Sequence, residues 1–193
     1  MKKYFTTKRI VLAALLAALT AAGSALRITV PVDIAGTSSF HLGNILCALS
    51  GILLGPWLGG LAAGLGSAIY DMFHPLYISE CWITFITKGA YGIVAGLIAW
   101  QGRKAWTALG GRGYAKAVAA TTAGAVTYAL LYFAKSVFYD GMLLGGQSID
   151  LAILYIVPKF PATIFNAVVA IIGAPILAMA ISTALKKAHL DTK

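Results

Sequence analysis

Charge is scarce in this sequence, and acid is scarcest of all. Charged side chains make up 11% of the 193 residues, and only six are Asp or Glu. A soluble domain carries about 25% charged residues. With 60% apolar residues and a mean hydropathy of +0.84, the chain reads as an integral membrane protein, one domain spanning 1–193. Cysteine is nearly missing too. Cys47 and Cys81 have no metal-ligand spacing and give no disulfide framework, so they read as small apolar packing residues. His41, His74 and His189 are scattered and hold no metal spacing. The H-E-x-x-H, G-x-S-x-G and P-loop patterns are absent. No enzyme activity, metal or cofactor is expected, and any ATP hydrolysis must come from another chain. A repeat is lacking as well: the Gly55-Pro56 break has no counterpart in the second half, which argues against an inverted-repeat carrier.

What the chain does have is base and long apolar runs. The net charge of +9 does not mark a nucleic-acid binder, because the basic residues form short clusters beside apolar segments rather than a stripe tracking phosphates. The apolar pattern predicts an all-α bundle of six transmembrane helices at about 10–27, 40–54, 57–72, 82–101, 114–138 and 153–185. The second and third come from one region broken at "LLGPWLGG"; each half reaches only about 22 Å, so they are two short helices or a re-entrant pair. A secretory signal is the weaker reading of the first run, since further apolar segments follow.

Topology follows from the bases. Lys2, Lys3, Lys8 and Arg9 precede helix 1. Arg103, Lys104, Arg112 and Lys116 lie in or beside the loop between helices 4 and 5, and Lys186, Lys187 and Lys193 follow helix 6. These eleven of fifteen bases belong on the cytoplasmic side, with both termini. The connections carrying Asp33, His74, Glu80, Asp140 and Asp150, with Arg27, face outward.

Four ionisable residues then fall in or at the ends of apolar segments: Asp71, Lys88, Lys135 and Lys159. A charge in the bilayer costs roughly 2.5–3.5 kcal/mol on insertion scales and marks function by default. All four lie in the outer half, so they can share one cavity. Lys88 is deepest, about 9 Å from the helix end; Asp71 can pair with it or receive a polar ligand group. Lys135 is near enough to the surface to snorkel. Lys159 follows Pro158 at a helix start, where a lysine is unfavourable unless an anion joins it. Glu80, Trp82 and Tyr132 lie at the same depth and complete the candidate substrate-binding set; an interfacial aromatic belt is the other reading of the aromatics. Three lysines against Asp71 and Glu80 leave the cavity slightly positive, which favours a ligand with an acidic group; neutral pyridoxine, a hydroxymethylpyrimidine or riboflavin remain open.

Helix 1 carries alanine on two adjacent rows, Ala13, Ala17 and Ala21 beside Ala14, Ala18 and Ala22. Small residues four apart allow close helix approach in lipid. One row serves the bundle and the other is free for a partner; the sequence does not say which.

The stretch "FHLGNILCALSGILLGPWLGGLAAGLGSAIYDMF…ITFITKGAYGIVAGLI" resembles the substrate-binding S components of energy-coupling factor (ECF) vitamin transporters, riboflavin-type branch. The matching pieces are H-L-G at 41–43, L-L-G-P at 53–56, the Gly/Ala run ending in Tyr70-Asp71, and Lys88-Gly89 followed by Gly92 and Gly96. The resemblance implies a subunit of an ABC importer in a bacterial or archaeal cell membrane, binding a vitamin or vitamin precursor tightly near the outer face. It implies that residues 28–39 help cover the site. It also implies that the alanine rows of helix 1 contact a membrane coupling subunit carrying two ATPases. Two rival readings stand beside it: a self-sufficient small carrier or channel, and a membrane scaffold with no ligand.

Overall fold

Thr6 starts the first helix: its hydroxyl accepts the backbone N–H of Arg9 at 3.4 Å. α1 accordingly runs Thr7–Ala25, three residues ahead of the apolar run that predicts it. The computed structural model describes residues 5–32, 36–101, 106 and 110–188. Lys2, Lys3, Asp33, Arg103, Lys104 and Lys193, used in the topology argument above, and His189 lie outside the described residues.

After α1 the chain does not form a loop. Residues 28–32 and 36–39 belong to an antiparallel hairpin, β1 Arg27–Val32 and β2 Gly36–His41, with Arg27 opposite His41 and Val32 opposite Gly36. The β-branched content of "RITVPV" is the local reason; it outweighs the turn chemistry of Pro31 and Gly36.

α2 (Gly43–Leu54) and α3 (Pro56–Met72) are two separate helices. Gly55 between them has φ 78°, a left-handed value that glycine tolerates, and Pro56 occupies the first turn of α3. α2 is short, about 18 Å for 12 residues, and it is the central helix. It touches α1, α3, α4 (Cys81–Ala99), α5 (Gly110–Lys135) and α7 (Phe160–Lys187). Every residue from Cys47 to Leu54 is buried, so this helix meets protein rather than lipid.

The second half departs further from the expected boundaries. α5 runs Gly110–Lys135 and continues as a π-helix over Ser136–Leu144, so the segment predicted at 114–138 extends at both ends. The segment predicted at 153–185 is composite. A four-residue α6 (Ile149–Ala152) leads into a 3-10 stretch (Ile153–Lys159), and only then does α7 begin. Pro158 sits inside the 3-10 stretch; the proline in the first turn of α7 is Pro161. Among the described residues four helical stretches are long and apolar enough to cross a membrane: Thr7–Ala25, Ile78–Ala99, Gly111–Leu144 and Ile149–Lys187. Their outward faces carry exposed Leu15, Leu19, Ile86, Leu97, Leu130, Ile172 and Ile176, the composition of a lipid-facing surface.

The long helices alternate in direction, which gives the bundle two chemically different ends. At the end holding the start of α1 and the end of α7, the buried Arg9 donates to the Leu54 carbonyl and lies 4.8 Å over the Trp100 ring, while Trp100 donates to the Ile52 carbonyl at 2.9 Å. The other end carries the hairpin.

Glycine makes the close packing of α3 on α4. A Cβ on Gly92 would stand 2.8 Å from both the Gly59 carbonyl oxygen and the Gly60 Cα. Backbone cannot yield as a flexible side chain does. Gly92→Val is therefore expected to lower stability by about 1–3 kcal/mol through overpacking, measured as a fall in the thermal unfolding midpoint in detergent. An unchanged midpoint would mean that α3 and α4 can part without cost.

Candidate functional site

At the hairpin end the helices do not close. They leave a cavity of about 390 Å³ roofed by β2, within the ordinary range for small-molecule sites. Ser24 and Arg27 enter it from the end of α1 and the start of β1, Ser39 and His41 from β2, Ser67 and Asp71 from α3. Thr84 and Lys88 come from α4, Tyr128, Tyr132 and Lys135 from α5, Asp140 from the π-helix, Lys159 from the end of the 3-10 stretch, and Thr163 and Asn166 from the start of α7.

Of the seven side chains proposed from the sequence, six line this cavity: Asp71, Glu80, Lys88, Tyr132, Lys135 and Lys159. Trp82 does not. Its ring is 55% exposed and stands edge-on to Tyr139, 6.1 Å between centroids, the posture of an interfacial aromatic.

The pairings differ from the expected ones. Asp71 lies 3.8 Å from Arg27, not against Lys88. Arg27 is further held by the faces of Tyr70 and Tyr77, 4.2 and 4.8 Å from their centroids, and donates from Nε to the Ser24 carbonyl. Lys135 does not snorkel: its ammonium is 2.6 Å from Glu80 and 2.7 Å from Asp140. Lys159 is 97% buried in its side chain and donates to Asp140 at 2.6 Å and to Ser136 at 3.2 Å. The anion that a lysine at this helix start requires is thus supplied by the chain itself. Lys88 donates to the Asn44 side-chain oxygen and lies 3.7 Å from the centroid of the Tyr128 ring.

Asp140 can serve two lysines because of the π-helix. In α geometry residues five apart are about 140° apart around the axis, so Lys135 and Asp140 would diverge. The wider π turn brings them to one side, where both Asp140 oxygens are engaged by ammonium groups.

Asn166 ties the roof to α7. Its side-chain oxygen accepts the His41 backbone N–H at 2.9 Å, and its amide nitrogen donates to the Ser39 carbonyl at 2.8 Å. These two backbone groups point off the free edge of β2, so one carboxamide fills the positions a third strand would take. The Ser39 hydroxyl adds a 3.1 Å contact to the Tyr77 hydroxyl. Two hydrogen bonds of about 1 kcal/mol each hold this edge. Asn166→Ala is expected to speed exchange of the His41 amide about tenfold or more in the folded protein; identical exchange would show that the hairpin is held some other way.

His41 has no such support for its side chain. Burial, reinforced by the positive charges of Lys88 and Arg27, holds its basicity well below the usual imidazole range. Its Nδ1 is buried without a hydrogen-bond partner among the described residues and packs against α2, where a Cβ on Gly43 would stand 3.1 Å from it.

Sequence reasoning left Arg27, His41, Asn44, Asp140 and Asn166 outside the site. For Arg27 and Asp140 a signal existed: they are the base and one of the acids left over once the basic clusters are assigned to the opposite end. For Asn44 and Asn166 none did, since a neutral amide in an apolar run carries no charge to betray it.

Residues 4–183 match the family described as ECF-type riboflavin transporter, S component. A curated relative from Pyrococcus woesei, described as an uncharacterized protein in gap 3'region, is 30% identical over 115 residues, covering 60% of this chain and 68% of the relative.

Proposed function

The chain belongs to the ECF-type riboflavin transporter S component family, and on that premise we propose that the cavity beneath the hairpin is its substrate site. Membership makes it a multi-pass membrane protein and a substrate-binding subunit of an ECF importer, not an enzyme. On this reading residues 1–193 form one six-span domain in a bacterial or archaeal plasma membrane, with both termini in the cytoplasm and the cavity facing outward. A vitamin or precursor is captured there with high affinity, under the β1–β2 hairpin as lid. A membrane coupling subunit with two ATPases then drives its delivery.

One observation carries this reading: seven formally charged side chains converge on a cavity at the hairpin end, in a chain with few charges to spare. The positive-inside bias supports the orientation, since Lys8, Arg9, Arg112, Lys116, Lys186 and Lys187 all belong to the opposite end. The test is a thermal unfolding screen of the purified full chain against a vitamin panel. A ligand present at 100 times its Kd stabilises by about 2.7 kcal/mol, a readable shift. A panel that moves nothing would favour the scaffold reading.

A further inference from the structure

This inference rests on the cavity being the substrate site, and it concerns what the substrate must carry. The cavity is lined by four basic residues and three acidic ones, an excess of one positive charge. The acids are committed: Asp71 to Arg27, Glu80 to Lys135, and Asp140 to Lys135 and Lys159. Among the described residues, Lys88 is the lining base with no carboxylate within 4.0 Å. It is only 5% exposed, and its neighbours are a neutral amide oxygen and a ring face. Both orient an ammonium, and neither cancels its charge. A buried cation of this kind gains most from an anion brought in from outside.

The size of the space says what bears that anion. A water molecule takes about 30 Å³ of liquid volume, so a cavity of about 390 Å³ would be left mostly empty by a simple inorganic ion. The anion belongs to a larger organic body. One surplus charge also fits one negative charge; a phosphate dianion would overshoot it.

We propose that this cavity takes an organic monoanion, a small polar molecule bearing one carboxylate, and that Lys88 binds the carboxylate. The family's description points to riboflavin, which is neutral, so the proposal separates this chain's ligand from that description.

The test uses the full chain in detergent and matched acid and neutral probes: nicotinate with nicotinamide, 4-pyridoxate with pyridoxine, biotin with biotinamide. Riboflavin is the neutral reference and pyridoxal phosphate the dianion. Calorimetry is expected to show the acid of at least one pair binding about tenfold or more tightly than its neutral partner. Lys88→Met and Lys88→Gln, each shown folded by its unfolding transition, are expected to erase that margin. The parent comparison stands alone if neither variant folds. Riboflavin or another neutral probe binding with no acid preferred overturns the inference and leaves the substrate-site reading intact. So does an acid preference that survives in a folded Lys88 variant, or pyridoxal phosphate outbinding every carboxylate. A folded parent that binds no probe at all counts against both.

Discussion

Tryptophan at Ala18 of α1 is expected to abolish ATP-driven uptake while ligand affinity stays at the parent level. The structure separates the two alanine rows. Ala13, Ala17 and Ala21 are half-buried, and Ala17 lies against α3, where its carbonyl oxygen would meet a Cβ on Gly66. Ala14, Ala18 and Ala22 are exposed. Beside them runs a ridge of Val11, Leu15 and Leu19, each at least half exposed. A shallow groove flanked by bulky side chains is a good seat for a helix in lipid, where close fit replaces the hydrophobic drive available in water. An indole at Ala14 or Ala18 fills that groove and touches nothing in the cavity. Ala17→Trp is the contrasting control: its ring must enter the α1–α3 contact, so stability and binding should fall together. Uptake into vesicles holding the coupling subunit and both ATPases, beside calorimetric affinity, distinguishes the cases. Parental uptake in both Ala14→Trp and Ala18→Trp would remove this face from the coupling role and bring the self-sufficient carrier forward.

Asp140→Asn should cost about 3 kcal/mol of stability or more. Asp140 is the shared counter-ion of Lys135 and Lys159, at 2.7 and 2.6 Å, and all three side chains are at most 12% exposed. Removing one partner of a buried ion pair leaves an uncompensated charge, typically about 3–5 kcal/mol. Lys135 retains Glu80 after the change, so the larger loss falls on Lys159. Two further variants check the cause. Glu80→Gln should cost less, because Lys135 keeps Asp140 and Glu80 is 25% exposed. Asp140→Leu combined with Lys159→Met should recover much of the loss, since an apolar pair of similar bulk leaves no buried charge unpaired. Chemical unfolding in mixed micelles measures all three. A double variant as unstable as Asp140→Asn would show that the π-helix needs the carboxylate for reasons other than charge pairing.

Apolar runs and basic clusters sufficed to identify the solvent of this protein, its helical class and the depth of its charges. Those properties are local or additive: apolar runs count residues, and basic clusters count charges. Lys88, Lys135, Lys159 and Asp71 each announced themselves because an ion in an apolar run is costly wherever the run goes. Pairing is not additive. Arg27 reaches Asp71 only because a hairpin folds back at the end of α1, and Asp140 reaches Lys135 only because a π turn replaces an α turn. The two alanine rows of α1 are equivalent in composition; contact with Gly66 makes one inner and the other outer. The hairpin shows the limit most plainly. The β-branched content of "RITVPV" is a local cue that an all-helical reading passes over, and the fastening of the hairpin to α7 falls to Asn166, 125 residues beyond His41. A neutral side chain that gains its role from a distant backbone edge leaves no trace in hydropathy or charge, because both are sums over residues and a latch is a relation between two of them.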